Sequence, residues 1–596
     1  MGITEHQKLV RYISAARRVE ELRLISLLAQ TWDCVDGICV ESKELNTSST
    51  GFHQTLDVCR LTCGPYGSLW PRPTKIVEMT NERVVIHPED IRFEINEPVK
   101  EKAPDNFKEL VNGMCEILVE DLKKMCGNMC TGDVDSRLLV KISIRNTETD
   151  LTWNTDESYS LQVENTGPMT TASIQGKTAY GARHGLQTLS QLMTVVSHLN
   201  TAFITMIKQA FITDAPVYPH RGLLIDTSRH FLNTDTIKRT IDGMAQSKLN
   251  VLHWHATDTH SFPLKLPRVP ELAKYGAYSN EETYSVDDIR ELISYGRKRG
   301  VRIILEIDSP SHAGNGWQWG PEAGLGNLAV CVNQMPWRSY CIQPPCGTLN
   351  PINPNTYKIL GLLYKDLLQI FPKGEIFHMG GDELKVSCWN STAEIVDFMR
   401  GEGLGREMDD FIQVWSYFHN KAKHVLDNAS GNENPSILWT SQLTNPENVE
   451  QYLDKNKFVI QAWTETSDDV IEELLAKGYK MIISTKNAWY LDHGFWGNTV
   501  YYKWDRVYDN QIPLPSRGVY GGEVCMWGEY VDDSAIDAKI WPRAAAVAER
   551  LWSNPSSRKS TVIYRLLQQR RRLIQLGIKA EAILPEWCEN NEGMCE

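Results

Sequence analysis

The sequence predicts an α/β protein in which a (β/α)8 TIM barrel, the larger part, follows a smaller α+β domain. Short β-rich runs recur eight times after residue 218, each followed by a loop and a helical pattern. Several of these runs end in acidic and aromatic residues, and barrel enzymes carry their functional groups at such strand ends. A chain of 596 residues is also too long for one compact core, so we expect two or three domains.

Composition changes along the chain divide it into three predicted domains. Residues 1–70 form a cysteine-bearing head, residues 71–217 an α+β unit, and residues 218–596 the barrel with a C-terminal tail. The α+β unit contains predicted helices at 106–125 and 179–196 and predicted strands at 138–144 and 159–163. The predicted barrel strands are 222–226, 251–255, 301–307, 376–379, 437–439, 458–463, 481–484 and 519–527.

Charge and cysteine usage limit the partners and the compartment. The formal net charge of −13 argues against nucleic acid or an anionic membrane surface as a partner. Of the 14 cysteines, all but Cys525 are clustered, and N-glycosylation acceptors occur at Asn46, Asn390 and Asn428. Together they favour disulfides and the secretory pathway, meaning the Golgi, a lysosome, the extracellular space or the cell surface. A zinc site at Cys126 and Cys130 would need a matching histidine pair, which does not follow them.

The N-terminal region shows no clear signal peptide. The apolar run at 24–29 is shorter than the roughly 7–15 residues of a signal-peptide core. It follows several charged residues and is more typical of an amphipathic helix. No run approaches the roughly 20 apolar residues of a membrane span, so no membrane anchor is visible. Either a leader is missing from this chain or the protein reaches the pathway by another route.

The candidate catalytic residues are Asp382 and Glu383, which follow the fourth predicted strand after two glycines. Glycine lets the backbone turn sharply or approach a ligand closely. Tryptophans end several later strands, among them Trp439, Trp463 and Trp527. Indoles stack on sugar rings, and carboxylates accept hydrogen bonds from hydroxyl groups. The mouth of the predicted barrel therefore indicates a glycan-binding pocket.

The pair His253 and His255 raises a different class of site. Two histidines on the same face of a strand could bind a metal ion in a hydrolase. Such an enzyme would need further histidine or lysine ligands at later strand ends, where the sequence places acids and tryptophans. We therefore predict that both histidines hydrogen-bond to acids beneath the pocket, and that no metal or cofactor is used.

Six segments closely resemble the β-N-acetylhexosaminidases of glycoside hydrolase family 20. They are RGLLIDTSR (221–229), HWHATD (253–258), HMGGDE (378–383), LWT (438–440), GEVCMWGE (522–529) and WPRAAAVAERLW (541–552). The resemblance runs from about residue 71 to the C-terminus. It identifies the α+β unit with the zincin-like second domain of that family.

The resemblance implies an exo-acting, retaining enzyme that uses substrate-assisted catalysis, a known exception among glycosidases. Glu383 would protonate the leaving oxygen, and the 2-acetamido group of the substrate would attack C1 to form an oxazolinium. Asp382 would orient the acetamido N–H, and Tyr490 would hold the acetamido oxygen. The implied sugar-binding residues are Arg221, Trp439, Trp463, Asp492, Trp504, Trp527 and Glu529, with Asp258 and His312 in supporting roles.

Two kinds of GlcNAc-terminated glycan are candidate substrates. The head and segment 484–497 resemble insect members of the family. Chitin-oligomer-degrading insect members carry a longer, cysteine-containing insertion before the position of Trp504, whereas the run from Phe495 to Trp504 is short and lacks cysteine. In this the chain resembles the "fused lobes" type, which trims N-glycans. Chitooligosaccharides are the alternative substrate, and the sequence leaves open GalNAc release and a homodimer.

A catalytically inactive carbohydrate-binding protein on the same scaffold is a separate alternative. It would require the loss of a catalytic acid. Asp382, Glu383 and Tyr490 are all present, so the sequence favours an enzyme.

Overall fold

The computed structural model describes residues 31–42, 55–96, 103–127, 130, 135–198, 201–556 and 559–595. The predicted amphipathic helix at 24–29 and the acceptor Asn46 lie outside these residues. Of the other two acceptors, Asn428 is exposed on a helix, and the amide oxygen of half-buried Asn390 accepts a hydrogen bond from Arg406 at 2.6 Å. Within the described ranges, no helix has the length and apolarity needed to span a bilayer.

The head is a small disulfide-bonded unit. A hairpin of β1 (Trp32–Val35) and β2 (Ile38–Glu41) packs against the short helix α1 (Leu56–Arg60). Disulfides Cys34–Cys63 and Cys39–Cys59 join the hairpin to this helix region. The side chain of Arg60 is buried and pairs with Glu592 at 2.6 Å, so the head is attached to the C-terminal end of the chain.

The next part of the chain builds an α+β layer. Six strands form one mixed sheet in the order β3-β11-β7-β8-β6-β5, and three form an antiparallel sheet in the order β4-β10-β9. Helices α2 and α3 share one hydrophobic core with these sheets. The bounds are β3 Val77–Met79, β4 Arg83–Ile86, β5 Arg92–Asn96, α2 Asp105–Cys126, β6 Arg137–Ile144, β7 Tyr159–Asn165, β8 Met169–Gly176, α3 Ala179–Gln191, β9 Met193–His198, β10 Thr201–Ile207 and β11 Ala210–Asp214.

The predicted elements of this layer are found with one correction. The helix expected at 106–125 is α2, and the strands expected at 138–144 and 159–163 are β6 and β7. The helix expected at 179–196 is wrong in its last part, because α3 ends at Gln191 and β9 begins at Met193. Thr194, Val195 and Val196 are β-branched and pair with β10, a partner that local periodicity does not reveal.

The second half of the chain forms a parallel sheet surrounded by helices. Its strand order is β14-β13-β12-β20-β19-β18-β17, and every neighbouring pair is parallel. The strands are β12 His220–Asp226, β13 Val251–Thr257, β14 Arg302–Ile307, β17 Ser436–Trp439, β18 Phe458–Ala462, β19 Lys480–Ile483 and β20 Val519–Met526, with a separate antiparallel pair of β15 Ala329–Val330 and β16 Thr348–Leu349.

Helices follow most of these strands and bury their apolar faces against the outside of the sheet. They are α4 Thr234–Gln246, α5 Pro270–Gly276, α6 Val286–Lys298, α7 Pro354–Ile370, α8 Val386–Ser391, α9 Ala393–Gly401, α10 Met408–Ser430, α11 Val449–Tyr452, α12 Val470–Ala476, α13 Lys486–Trp489, α14 Trp504–Asp509, α15 Ile536–Ile540, α16 Arg543–Ser553, α17 Lys559–Gln575 and α18 Glu586–Asn590.

The run predicted as a strand at 376–379 is a single-residue bridge instead. His378 pairs with Glu306 on β14 and with Ile437 on β17, the two edge strands of the sheet. The His378 N–H donates to the Leu305 carbonyl at 3.0 Å, and the Met379 N–H donates to the Ile437 carbonyl at 2.9 Å. Backbone hydrogen bonds therefore connect one edge of the sheet to the other through this segment.

The inner face of the parallel sheet is apolar and covered near the amino ends of its strands. Val251, Ile304, Ile437, Val459 and Ile482 form a buried cluster there. Trp153, from the α+β layer, packs against this cluster and stacks on Tyr520 with ring centroids 4.1 Å apart. The inner face of the sheet is therefore filled by apolar side chains near this end.

Arg221 lies at the same end of the sheet, away from the carboxyl ends of the strands, and has no exposed surface, so the expectation that it binds a sugar hydroxyl is wrong. It is fully buried near the start of β12, pairs with Glu157 at 2.7 Å, and donates to the Lys248 carbonyl at 2.8 Å. Its guanidinium lies 5.0 Å from the ring centroid of Trp552. Burial alone would raise the pKa of Glu157, but Arg221 and His184 outweigh it and lower that pKa to about 2. Arg221 thus connects the α+β layer to the parallel sheet.

Arg221→Met should destabilise the protein, because it leaves the buried carboxylate of Glu157 without its main cation. Removing one partner of a buried ion pair costs about 3–5 kcal/mol. We expect a lower midpoint in urea and thermal unfolding. The double variant Glu157→Met/Arg221→Met should recover most of the loss, because no charge is then left uncompensated. Equal stability of Arg221→Met and the unmodified protein would contradict this assignment.

Candidate active site

A cavity of about 260 Å³ opens at the carboxyl ends of the parallel strands. Functional groups from almost every strand end converge there. Its lining consists of Arg229, His255, Asp308, His312, Trp337, Ile342, Gln343, Pro344, Asp382, Glu383, Trp463, Lys486, Tyr490, Asp492, His493, Trp496, Trp527 and Glu529. The structure therefore brings Asp382, Glu383, Tyr490, Trp463, Asp492, Trp527, Glu529 and His312 together, as the sequence predicted.

The two adjacent acids are presented by a turn that requires glycine. Gly380 and Gly381 have φ angles of 65° and 95°. A Cβ atom on Gly380 would lie 1.7 Å from Oδ1 of Asp308, so no side chain fits at this position. The Gly381 N–H donates to the same Asp308 oxygen at 3.2 Å. Glu383 itself has a φ of 48°, which places it in the left-handed region.

The environments of Asp382 and Glu383 shift their pKa values in opposite directions. Burial, reinforced by the charge of Glu383, raises the pKa of Asp382 to about 7. Burial also acts on Glu383, but the hydrogen bond and charge of His312 outweigh it and lower the pKa of Glu383 below its ordinary value. A proton shared by the empty pair therefore resides mainly on Asp382.

His312 connects Glu383 to a buried acid behind it. Its Nδ1 lies 3.0 Å from Oδ2 of Asp258, and its Nε2 lies 3.4 Å from Oε2 of Glu383. Asp258 in turn pairs with Arg229 at 2.7 Å. Burial disfavours a charged imidazole, yet Asp258 and Asp308 raise the pKa of His312 well above its ordinary value. The His312 imidazolium thus lies between the carboxylates of Asp258 and Glu383 and orients Glu383.

Aromatic rings form one side and the floor of the cavity. Trp463 and Trp527 line it, and Trp439 is buried beneath them, with its ring centroid 5.9 Å from that of Trp527. The indole N–H of Trp439 donates to Oε1 of Glu306 at 2.8 Å. Burial, with nearby Cys525, raises the pKa of Tyr490 well above its ordinary value, so its hydroxyl keeps its proton and can act as a donor.

Trp504 does not line the cavity, which corrects a second expectation. It begins helix α14 and packs half-buried against the outer core, with its ring centroid 6.4 Å from that of Tyr508. Trp496, in the preceding loop, lines the cavity instead. Its indole N–H donates to Oδ2 of Asp492 at 2.8 Å.

Three carboxylate oxygens are buried in the cavity without a donor. Oδ1 of Asp382, Oδ1 of Asp492 and Oε2 of Glu529 have no hydrogen-bond partner among the described residues. Burial raises the pKa of Asp492 to about 7. An unmade hydrogen bond at a buried acceptor is costly, so these atoms are prepared for donors that a ligand supplies.

The histidine pair His253 and His255 hydrogen-bonds to acids beneath the cavity, as predicted. His253 contacts Glu523 at 2.5 Å and Glu306 at 2.9 Å. His255 contacts Glu306 at 2.7 Å and Asp258 at 3.4 Å. The ligating atoms of His253, Glu306 and His378 lie within 4.8 Å of one another, close enough for a metal ion. The direct contacts of Glu306 with His253 and with His378 account for this short spacing.

Sequence reasoning missed several residues that line the cavity. Arg229 stands in the same motif as Arg221, and it is Arg229 that reaches the cavity. It pairs with Asp226 at 3.1 Å, and its guanidinium lies 5.3 Å from the ring centroid of Trp527. The sequence could have indicated this, because Arg229 follows the carboxyl end of β12, whereas Arg221 is near the start of that strand. Trp337 and Gln343 come from a loop between cysteines, and no strand-end argument selects them.

Comparisons with known proteins agree with this geometry. The family model described as "Glycosyl hydrolase family 20, catalytic domain" matches residues 218–555, and one described as "beta-acetyl hexosaminidase like" matches residues 69–192. The "Chitooligosaccharidolytic beta-N-acetylglucosaminidase" of Ostrinia furnacalis is 40% identical over 585 residues, 95% of each chain. The "Probable beta-hexosaminidase fdl" of Drosophila melanogaster is 37% identical over 596 residues, 90% of this chain and 87% of the relative.

A solved structure has the same fold. The Flavobacterium johnsoniae chitobiase superimposes with a TM-score of 0.67 at 26% sequence identity. The superposition covers 86% of this chain and 73% of that one.

Proposed function

The chain belongs to glycosyl hydrolase family 20 and is a glycosidase of the β-N-acetylhexosaminidase type, and from this premise we propose that its pocket removes terminal, non-reducing GlcNAc by substrate-assisted catalysis. The supporting observation is that three buried carboxylate oxygens in one tryptophan-lined cavity have no hydrogen-bond partner in the part of the chain that the structure describes. A sugar offers hydroxyl and amide donors on its edge and a flat apolar face, which match these two features.

In the first step of the proposed mechanism, Glu383 donates its proton to the glycosidic oxygen as the bond from that oxygen to C1 breaks. The acetamido oxygen of the substrate forms a new bond to C1, which gives an oxazolinium with inverted configuration. Oδ1 of Asp382 accepts the acetamido N–H and stabilises the positive charge. The Tyr490 hydroxyl donates to the acetamido oxygen. Intramolecular attack supplies an effective molarity that a water molecule lacks.

In the second step, water attacks C1 and the bond to the acetamido oxygen breaks. Glu383 now accepts a proton from that water, so the anomeric configuration is retained overall. Asp492 and Glu529 accept hydrogen bonds from hydroxyls on the far edge of the sugar, and Trp463 stacks on the sugar beyond the scissile bond. These contacts close the pocket around one terminal residue and explain exo action.

For this mechanism, the proton of the acid pair must move from Asp382 to Glu383. The raised pKa of Asp382 and the lowered pKa of Glu383 favour the proton on Asp382, whereas catalysis requires it on Glu383 and an anion at Asp382. Both arrangements belong to the same one-proton state of the pair, so they titrate together. Activity therefore follows the population of that one-proton state.

The pH dependence of kcat/KM should be bell-shaped, with its alkaline limb near the pKa of about 7 at Asp382. Above that pH the pair loses its only proton, and well below the ordinary carboxyl range it gains a second, which neutralises Asp382. Initial rates on a chromogenic N-acetyl-β-glucosaminide measure the profile. Asp382→Asn is the control, because its alkaline limb should move to lower pH. A flat profile from about pH 6 to pH 9 would contradict the shared-proton account.

Several broader assignments accompany this proposal. We assign the connected strands to an eight-stranded (β/α)8 barrel (218–596), preceded by a zincin-like domain (71–217) and the head (1–70). The disulfides among the described residues, such as Cys331–Cys388, and the family assignment support a location in the secretory pathway. A homodimer stays a prediction.

For the substrate, we propose GlcNAc-terminated N-glycans. The loop from Phe495 to Trp504 is short and cysteine-free, so no inserted segment stands on the part of the cavity rim that carries Trp496. Chitooligosaccharides are the second candidate, because the relative from Ostrinia furnacalis, at 40% identity, is named for that activity.

A direct comparison of substrates tests this assignment. We expect kcat/KM for a GlcNAc-terminated biantennary N-glycan to exceed that for chitotriose by about tenfold or more, since the two differ only beyond the terminal sugar. Release of GlcNAc from each is measured chromatographically. The Glu383→Gln variant should release GlcNAc from neither substrate, because an amide cannot protonate the leaving oxygen. A preference for chitotriose would support the second candidate instead.

A further inference from the structure

A loop closed by disulfides forms one rim of the cavity. It comprises residues 331–346, between β15 and β16. Disulfide Cys331–Cys388 ties its start to helix α8, which directly follows the acid pair. Disulfide Cys341–Cys346 closes its end into a small ring that contains Gln343. The side chain of Gln343 thus reaches the cavity from a covalently restrained position.

Gln343 joins two charged residues of the cavity. Nη2 of Arg229 donates to the Gln343 amide oxygen at 3.2 Å, and the Gln343 amide nitrogen donates to Oε1 of Glu529 at 3.1 Å. A primary amide accepts from a guanidinium and donates to a carboxylate at the same time, which neither a carboxylate nor an ammonium group can do. Gln343 therefore fits between these two opposite charges.

The same contacts decide which atoms remain for a ligand. Oε1 of Glu529 is occupied by Gln343, whereas Oε2 is buried and has no donor among the described residues. Nη1 of Arg229 pairs with Asp226, Nη2 pairs with Asp258 as well as donating to Gln343, and the guanidinium lies over Trp527. By holding Glu529 and Arg229 in place, Gln343 therefore fixes the position of Oε2 of Glu529, which can accept from a hydroxyl. It also fixes the guanidinium that packs against the Trp527 ring.

We propose that Gln343 is a positioning residue that orients Glu529, so that one free oxygen of this carboxylate selects a hydroxyl on the far edge of the terminal sugar. This inference rests on the proposed function, because it assumes that the cavity binds that sugar. Gln343 acts through its two neighbours and needs no contact with the substrate.

Gln343→Glu is the sharpest variant, because it keeps the size and shape of the side chain. One carboxylate oxygen can still accept from Arg229, but the other would face Oε1 of Glu529 at close range. Two carboxylates at that distance repel unless they share a proton. The charged and titratable groups around this position are Glu529 and Asp492 on one side and Arg229 on the other, where Asp226, Asp258, Asp308 and His255 face the guanidinium.

We therefore expect Gln343→Glu to lower kcat/KM on a chromogenic N-acetyl-β-glucosaminide by about tenfold at neutral pH, mainly through a higher KM. The deficit should shrink as the pH falls, because a proton shared between the introduced carboxylate and Glu529 restores a hydrogen bond. Damage to the fold alone would not be repaired by acid. A deficit that does not change with pH would overturn the proposal.

Substrate analogues supply the second measurement. The unmodified enzyme should lose kcat/KM on the 4-deoxy or the 6-deoxy analogue, since one of these hydroxyls donates to Glu529. In Gln343→Ala that discrimination should fall by about tenfold, the worth of one hydrogen bond to a charged group. Equal discrimination by the two enzymes would overturn the proposal.

Gln334→Ala is the matched control. Gln334 is exposed on the same loop, so its replacement should change neither the pH dependence nor the discrimination. Failure of the unmodified protein to cleave any N-acetylglucosaminide would refute the proposed function itself. Normal cleavage by the unmodified protein with unaffected Gln343 variants would refute only the positioning role.

Discussion

Burial of like charges at the carboxyl ends of the parallel strands is the constraint on which the rest of this structure depends. Asp308, Asp382 and Glu383 lie close together. Burial raises the pKa values of Asp308 and Asp382, and the charge of Asp382 on Asp308 and of Glu383 on Asp382 adds to it. His312 opposes this effect at Glu383. The acid pair can therefore hold one proton near neutral pH, and a pair with one proton contains both the acid and the anion that the proposed mechanism needs.

The histidines and acids beneath the cavity keep this charge arrangement in place. Glu306 is fully buried and in contact with His253, His255 and His378, and Glu523 holds His253 from the other side. Burial opposes ionisation of Glu306, but these histidines lower its pKa well below the ordinary value. Both buried acids thus have basic partners, which offset the free-energy cost of burying their carboxylates. The same contacts also orient Trp439 beneath the cavity, because Glu306 accepts a hydrogen bond from its indole N–H.

Much of this arrangement could be predicted from the sequence, and the exceptions have physical reasons. The acid pair could be found because it follows a strand-like run and two glycines, and because acids and tryptophans also end the other predicted strands. The expectation for Arg221 is wrong because this residue begins a strand whose other end carries Arg229, and only the strand direction separates them. The role of Trp504 could not be predicted, because the path of the loop from 495 to 503 decides which indole faces the cavity. The proton location on Asp382 depends on His312, which lies more than 60 residues away in the sequence.

The central claim is that the substrate supplies its own nucleophile and that the protein orients it and lends a proton. The most direct test compares kcat/KM for 4-nitrophenyl N-acetyl-β-D-glucosaminide with that for 4-nitrophenyl β-D-glucoside, which carries a hydroxyl in place of the acetamido group. The account predicts a loss of about 10⁴-fold or more for the glucoside, because intramolecular attack is no longer available. Cleavage of both compounds at similar rates would contradict it.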